Sequence, residues 1–285
     1  MKKRIFAMVV MLLLIAGTSS AHAEWTYPVP LAALQTDYVR LANKESMLED
    51  DYVPGDLVKV KVKKVSSTAI QMRQRVSDAL DAMFAAATAD GYTLYAKSGY
   101  RSYRTQRTMY YNRLERNNGR DDGVVAYPGA SDHQTGLGID VTNKAWSDKT
   151  LNAEFGETKE AIWMAENCAT YGFIIRYPQG KEDITQIIYE PWHLRFVGEE
   201  AARYIMDSGL TLEEFTTEWQ QALADFENGG GDTAAALAQE PTELNEPSVP
   251  DEPESTDMPS NTQPPEGGSE PKYGADGDLE ISFFD

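Results

Sequence analysis

Histidine is scarce in this 285-residue chain: three occur, and only His133 and His193 lie beyond the first 23 residues. Cysteine is scarcer still. With Cys168 alone, no disulfide can form within the chain, which excludes a disulfide-stapled scaffold. Basic charge is also short, since 26 Lys and Arg face 45 Asp and Glu for a formal net charge of -19. That balance carries no basic footprint for nucleic acid. Long apolar runs are missing too, because the run from Ile5 to Ala16 falls short of the roughly 20 residues that a membrane span needs.

What is present begins with Met1-Lys2-Lys3-Arg4, the apolar run, and small residues ending Ala21-His22-Ala23. This order predicts a secretory signal over 1–23, cleaved before Glu24, and an extracytoplasmic protein at the cell wall or in the periplasm. Membrane attachment is expected only if the leader stays uncleaved, and no cysteine stands at the cleavage site to receive lipid. Composition shifts again near Glu227. From there to Asp285, fifteen acids meet one lysine and eight of the fourteen prolines, so 227–285 is expected to be a disordered acidic, proline-rich tail. The remaining body, 24–226, is mildly acidic, and its roughly 200 residues suit a single monomeric α+β domain.

Within the body, Ser66 or Ser67 is placed to cap a helix carrying Ile70, Val76, Leu80, Met83, Phe84 and Ala87 up to Gly91. Tyr92 to Ser98 reads as a strand that turns through Gly99-Tyr100-Arg101-Ser102 into a helix ending near Asn118-Gly119. A third helix is expected from Lys159 to Tyr171, stopping at Gly172, with short strands at Phe173 to Tyr177 and Gln186 to Tyr189. Thr211 and Glu214 form a capping box for a last helix carrying Leu212, Phe215, Trp219 and Leu223. Cys168 reads as a small buried residue, and Tyr100, Tyr103, Tyr110 and Tyr111 either line a cleft or pack on the sheet.

The two remaining histidines each sit beside carboxylates, in S131-D-H-Q-T-G-L-G-I-D140 and E190-P-W-H193. Two imidazoles and one carboxylate are a common protein contribution to a catalytic zinc ion. His133, Asp140 and His193 fill that set, and Glu190 is left as a general base. Leu137, Ile139 and Val141 alternate with Gly138, Asp140 and Thr142, so a strand here buries the aliphatic set and presents Asp140 on the other face. Gly136 supplies a sharp turn that returns His133 toward Asp140. Trp192, Leu194 and Phe196 likewise oppose His193, Arg195 and Val197. Arg195, on the face of His193, is expected either to orient Glu190 or, preferentially, to be solvated. In a flat strand Glu190 and His193 face opposite sides, so a bend at Pro191 is required. Trp192 would dry the pocket and raise the Glu190 carboxyl.

Four stretches, SGYRSYRTQ (98–106), PGASDHQTGLGIDV (128–141), YGFIIRYP (171–178) and EPWHLRFVG (190–198), together resemble the VanY-type D-alanyl-D-alanine carboxypeptidases. These belong to a zinc peptidase superfamily that includes VanX dipeptidases, MepA and the Hedgehog domain. The resemblance spans about Leu41 to Gly198. It implies an α+β fold with a central, mainly antiparallel sheet flanked by helices. It implies one zinc ion on His133, Asp140 and His193, with Glu190 as catalytic base and Arg101 binding the scissile carbonyl and stabilising the tetrahedral intermediate. Ser131 and Gln106 match positions that hold the terminal residue of the substrate. Gly138, where the pattern commonly has alanine, and Tyr127, where relatives often carry arginine, depart from it.

The implied activity is zinc-dependent hydrolysis of the terminal D-alanine from peptidoglycan stem peptides. Two alternatives stay open within the enzyme class, an L,D-carboxypeptidase and a stem endopeptidase. A zinc-stabilised wall-binding module without turnover is the remaining reading, and Glu190 with Arg101 argue against it.

Overall fold

The computed structural model describes residues 23–240, and the leader and the segment from 241 onward lie outside the described residues. In chain order the elements are a short helix α1 (Leu31–Leu34), strands β1 (Leu57–Lys59) and β2 (Gln71–Arg73), and helix α2 (Gln74–Ala89). Strand β3 (Tyr95–Ser98), helix α3 (Tyr103–Arg116) and strand β4 (Gly138–Thr142) follow. Then come α4 (Lys159–Asn167), β5 (Phe173–Ile175), α5 (Glu182–Thr185), β6 (His193–Phe196), α6 (Glu199–Ser208), α7 (Leu212–Asn228) and α8 (Thr233–Gln239).

The central sheet has four strands in the order β3-β4-β6-β5, every pairing antiparallel. A separate antiparallel hairpin joins β1 to β2. The alternation read from sequence sets the layers: Leu137, Ile139, Val141, Leu194 and Phe196 are all fully buried on one face of the sheet. They pack with Val76, Leu80, Met83 and Ala87 of α2 and with Trp163 and Met164 of α4. Each such side chain contributes about 1.5–3 kcal/mol of transfer free energy. A second cluster, including Leu34, Val39, Ile174, Ala201, Ile205 and Phe215, binds α6 and α7 to the far side.

Local rules hold at several boundaries. Ser102 Oγ accepts from Thr105 N at the start of α3, and Gly172, at φ 79°, ends the 3-10 turn Cys168–Tyr171 that extends α4. Thr211 and Glu214 form the reciprocal capping box of α7. Cys168 is fully buried.

Three expectations are corrected. The helix expected from Ser66 begins at Gln74, because Ile70 and Met72 turn into the core at the β1–β2 hairpin instead. Gln186 to Tyr189 is no strand: Gln186 takes a left-handed conformation (φ 58°), and the Thr185 hydroxyl accepts from Ile187 N, breaking the extended run. The body also runs past 226. α7 continues to Asn228, α8 follows, and the Glu240 carboxylate accepts from Leu31 N and Ala32 N at 2.6 and 2.7 Å. The first fourteen residues assigned to the disordered tail are therefore folded against the N-terminal segment. No described helix is long and apolar enough to cross a membrane.

Candidate active site

The register of the central sheet assembles the site. Asp140 on β4 pairs directly with His193 on β6, and Ser98 on β3 pairs with Asp140 from the other side. Side chains of paired residues share a face, so both donors point off the sheet toward the same space. His133 reaches that space from a 3-10 turn, Asp132–Thr135, ended by left-handed Gly136 at φ 69°. One turn of chain thus covers the seven positions between His133 and Asp140. Arg101 N donates to the His133 carbonyl, tying the β3–α3 junction to this turn.

Donor atoms of His133, Asp140 and His193 all lie within 4.8 Å of one another. The Asp140 carboxylate sits between the imidazoles, with Oδ1 2.9 Å from His193 Nδ1 and Oδ2 3.4 Å from His133 Nε2. His133 Nδ1 lies 2.8 Å from the Gly99 carbonyl, which can only accept, so Nδ1 carries a proton; burial and the Arg101 charge favour the neutral ring, whose Nε2 lone pair then faces Asp140. A lone pair aimed at a carboxylate in a buried site is unfavourable unless a cation lies between them. The donor set therefore fits one zinc ion, held by His133 Nε2, Asp140 and His193 Nδ1, with the Gly99 carbonyl fixing the tautomer of His133. Burial alone would raise the Asp140 carboxyl, yet His133 and His193 beside it hold it far below the usual carboxylate range.

Glu190 arrives through the bend its neighbour requires. His193 N donates to the Glu190 carbonyl across Pro191 and Trp192, and the Glu190 carboxylate lies 3.9 Å from His193 Nδ1. Burial pushes its carboxyl well above the ordinary value, the negative charge of Asp140 pushes it further, and Arg101 partly offsets both. A carboxylate so placed is a stronger base than an exposed one.

These groups line a cleft of about 450 Å³ together with Lys97, Arg101, Gln106, Ser131 and Tyr177. Arg101 Nη1 donates to Gln106 Oε1 at 2.8 Å and Nη2 to Ser98 Oγ at 3.1 Å. Gln106 Nε2 donates in turn to the Ala126 carbonyl. Each end of this amide makes one such bond, so Gln106 orients Arg101. Ser131 lines the cleft while 97% buried, at 3% exposure. None of Tyr100, Tyr103, Tyr110 and Tyr111 lines it; Tyr110 instead packs edge-on against Tyr111 and Tyr127.

Arg195 overturns the expectation of solvation. It is fully buried, donates to Asp132, and caps the Tyr38 and Arg40 carbonyls. Asp132, also fully buried, accepts from Arg176 Nε at 2.7 Å as well. The room for it comes from Gly138, where a Cβ would sit 2.9 Å from the Asp132 Cβ. Asp132, Arg176 and Tyr177 were missed in the sequence although they lie inside the motifs. Their only signal was a charged or hydroxyl-bearing residue inside a stretch whose neighbours are buried.

Two imidazoles and a carboxylate around one metal position, with a second carboxylate and a guanidinium beside it, define a metallopeptidase-type centre on an antiparallel sheet. A family profile described as VanY, D-alanyl-D-alanine carboxypeptidase, matches residues 69–199. The Bacillus subtilis (strain 168) putative carboxypeptidase YodJ is 46% identical over 179 residues, 61% of this chain and 65% of that protein. The solved LdcB LD-carboxypeptidase superposes with a TM-score of 0.59 at 45% identity, over 62% of this chain and 84% of that one. The solved D,D-pentapeptidase VanY in complex with Zn(II) gives a TM-score of 0.50 at 31% identity, over 63% and 98%. This chain belongs to the VanY family. It spans 65% of the length of YodJ, just under two thirds.

Proposed function

We propose that this protein is a zinc-dependent carboxypeptidase that releases the terminal D-alanine from peptidoglycan stem peptides. The observation that carries the reading is the Asp140–His193 register pair with His133 closing the donor set and the buried Glu190 carboxylate 3.9 Å from His193. When bound, zinc supplies Lewis acidity, making water acidic near neutral pH and polarising a carbonyl.

The side chains account for the rest. Glu190 accepts a proton from the attacking water, holds it in a site dried by Trp192, and delivers it to the departing amine nitrogen, so that water is added across the C–N bond. The Arg101 guanidinium, held by Ser98 and Gln106, faces the carbonyl oxygen as it gains charge, a stabilisation of about 2.7–4 kcal/mol for a comparable donor. Ser131 bounds the side of the cleft where the terminal residue is held. We further infer that the enzyme acts outside the cytoplasm, a reading supported by the composition of residues 1–23.

The D,D reading follows the description of the family. A second reading is favoured by the likeness to the LdcB LD-carboxypeptidase, at 45% identity against 31% for the VanY structure. It predicts cleavage after the third stem residue. Incubation with pentapeptide and tetrapeptide muropeptides, followed by mass spectrometry, separates the two. Loss of one D-alanine from pentapeptide alone supports the D,D reading, and loss from tetrapeptide alone replaces it with the L,D reading. Cuts inside the stem without free D-alanine would sink both.

A further inference from the structure

Behind the metal position lies a set of charges, buried apart from Glu213 at its rim, that the proposed chemistry leaves unused. Arg176 donates to Asp132 through Nε and to Glu213 of α7 through Nη1 and Nη2, at 2.7, 2.8 and 2.6 Å. Arg195 donates to Asp132 from the opposite side. Two guanidinium groups and two carboxylates balance, so this cluster is neutral without any contribution from His193.

His193 nevertheless touches it. Its ring is held between Tyr177, at a centroid distance of 5.2 Å, and His133, at 4.8 Å. Nδ1 faces Asp140, and Nε2 is buried with no hydrogen-bond partner. The carboxylate facing Nε2 is Asp132, with Oδ2 4.0 Å away. Whenever the Nδ1 lone pair is given to a metal, a neutral imidazole must carry its proton on Nε2. A buried N–H without an acceptor costs about 1–3 kcal/mol, and Asp132 is the acceptor at hand.

We propose that Asp132 is a positioning residue for His193: it receives the Nε2 proton side of the ring, so that Nδ1 is presented as a ligand, and Arg176 and Arg195 fix its own orientation. The inference rests on the zinc reading of the site but not on the choice of substrate. Through Arg176 it also connects Glu213 on α7 to the metal ligand.

The test uses the whole protein and zinc itself. Zinc affinity is measured by competition with a chromophoric chelator, and the His193 Nε2–H resonance of ¹⁵N-histidine-labelled, zinc-loaded protein is followed by NMR. Asp132→Asn is expected to weaken zinc binding about 10–100-fold, the usual effect of losing such a partner, and to move the Nε2–H resonance upfield. A folded Asp132→Asn protein with wild-type zinc affinity, or with that resonance unmoved, would overturn the proposal. If the charge of Arg195, left without a carboxylate partner, prevents this variant from folding, Glu213→Gln serves, because the Glu213 side chain is partly exposed, at 12%. It is expected to fold, to weaken zinc binding by a smaller factor and to shift the same resonance, and no change in either overturns the proposal. An enzyme inactive on every stem peptide that still showed these zinc and NMR effects would sink the proposed function and leave the role of Asp132 standing.

Discussion

The two faces of β6 solve the same burial problem in opposite ways. Leu194 and Phe196 bury hydrocarbon against α2 and β5, whereas His193 and Arg195, alternating with them, are equally buried at 2% and 0% exposure. On the first face, stability comes from removing apolar surface from water. On the second, it depends on each polar side chain meeting its partner, Asp140 for His193 and Asp132 for Arg195. The apolar face holds the strand in place, and the polar face spends that rigidity on a preorganised site.

Substitutions separate the faces by what they change. The largest expected effect is on the polar side: Glu190→Gln should lower turnover about 10²–10⁴-fold while zinc content, measured by mass spectrometry, stays at wild type. In metal-free protein the same variant sharpens the point by pH. The folded Glu190 carboxyl titrates well above its unfolded value, so its contribution is favourable at low pH and is lost as pH rises between the two. Wild-type melting temperature should therefore fall with pH across that window relative to Glu190→Gln, and parallel curves would contradict the assigned burial.

On the apolar side, Phe196→Ala should cost about 3–5 kcal/mol of stability in denaturant unfolding. Whatever fraction stays folded should keep near-normal zinc affinity. A selective loss of zinc binding would break the division between faces. Further away, Thr211→Ala removes the cap of α7 and should cost about 0.5–2 kcal/mol, with turnover unchanged at temperatures where the protein is folded. The smallest effect is at Cys168, whose thiol burial pushes up to about 12. It should resist thiol-labelling reagents at pH 8 and react only in denaturant.

The same contrast explains what could be read in advance. Alternation at 137–142 and 192–197 told which side chains share a face, and glycine at 136 and proline at 191 told where the chain had to bend. Those local rules sufficed to bring His133, Asp140, His193 and Glu190 to one place. Alternation cannot tell whether a polar face meets water, so the burial of Arg195 stayed hidden. Its partner Asp132 lies 63 positions away, and only the Gly138–Arg195 pairing brings them together. The start of α2 was misplaced for a similar reason: Ile70 fits the helical spacing of Val76 and Leu80, but its carbonyl accepts from Val60 N beside the β1–β2 hairpin. The tail boundary failed because composition does not show that Glu240 has two backbone N–H groups waiting at α1.

The central claim is that His133, Asp140 and His193 hold one zinc ion that D-alanine release requires. The most direct test follows free D-alanine from stem peptides with protein as purified, after removal of metal by a chelator, and after titration with zinc. The account predicts that release stops on chelation and returns in proportion to zinc up to one equivalent per chain. Release that persists in fully chelated protein would contradict it.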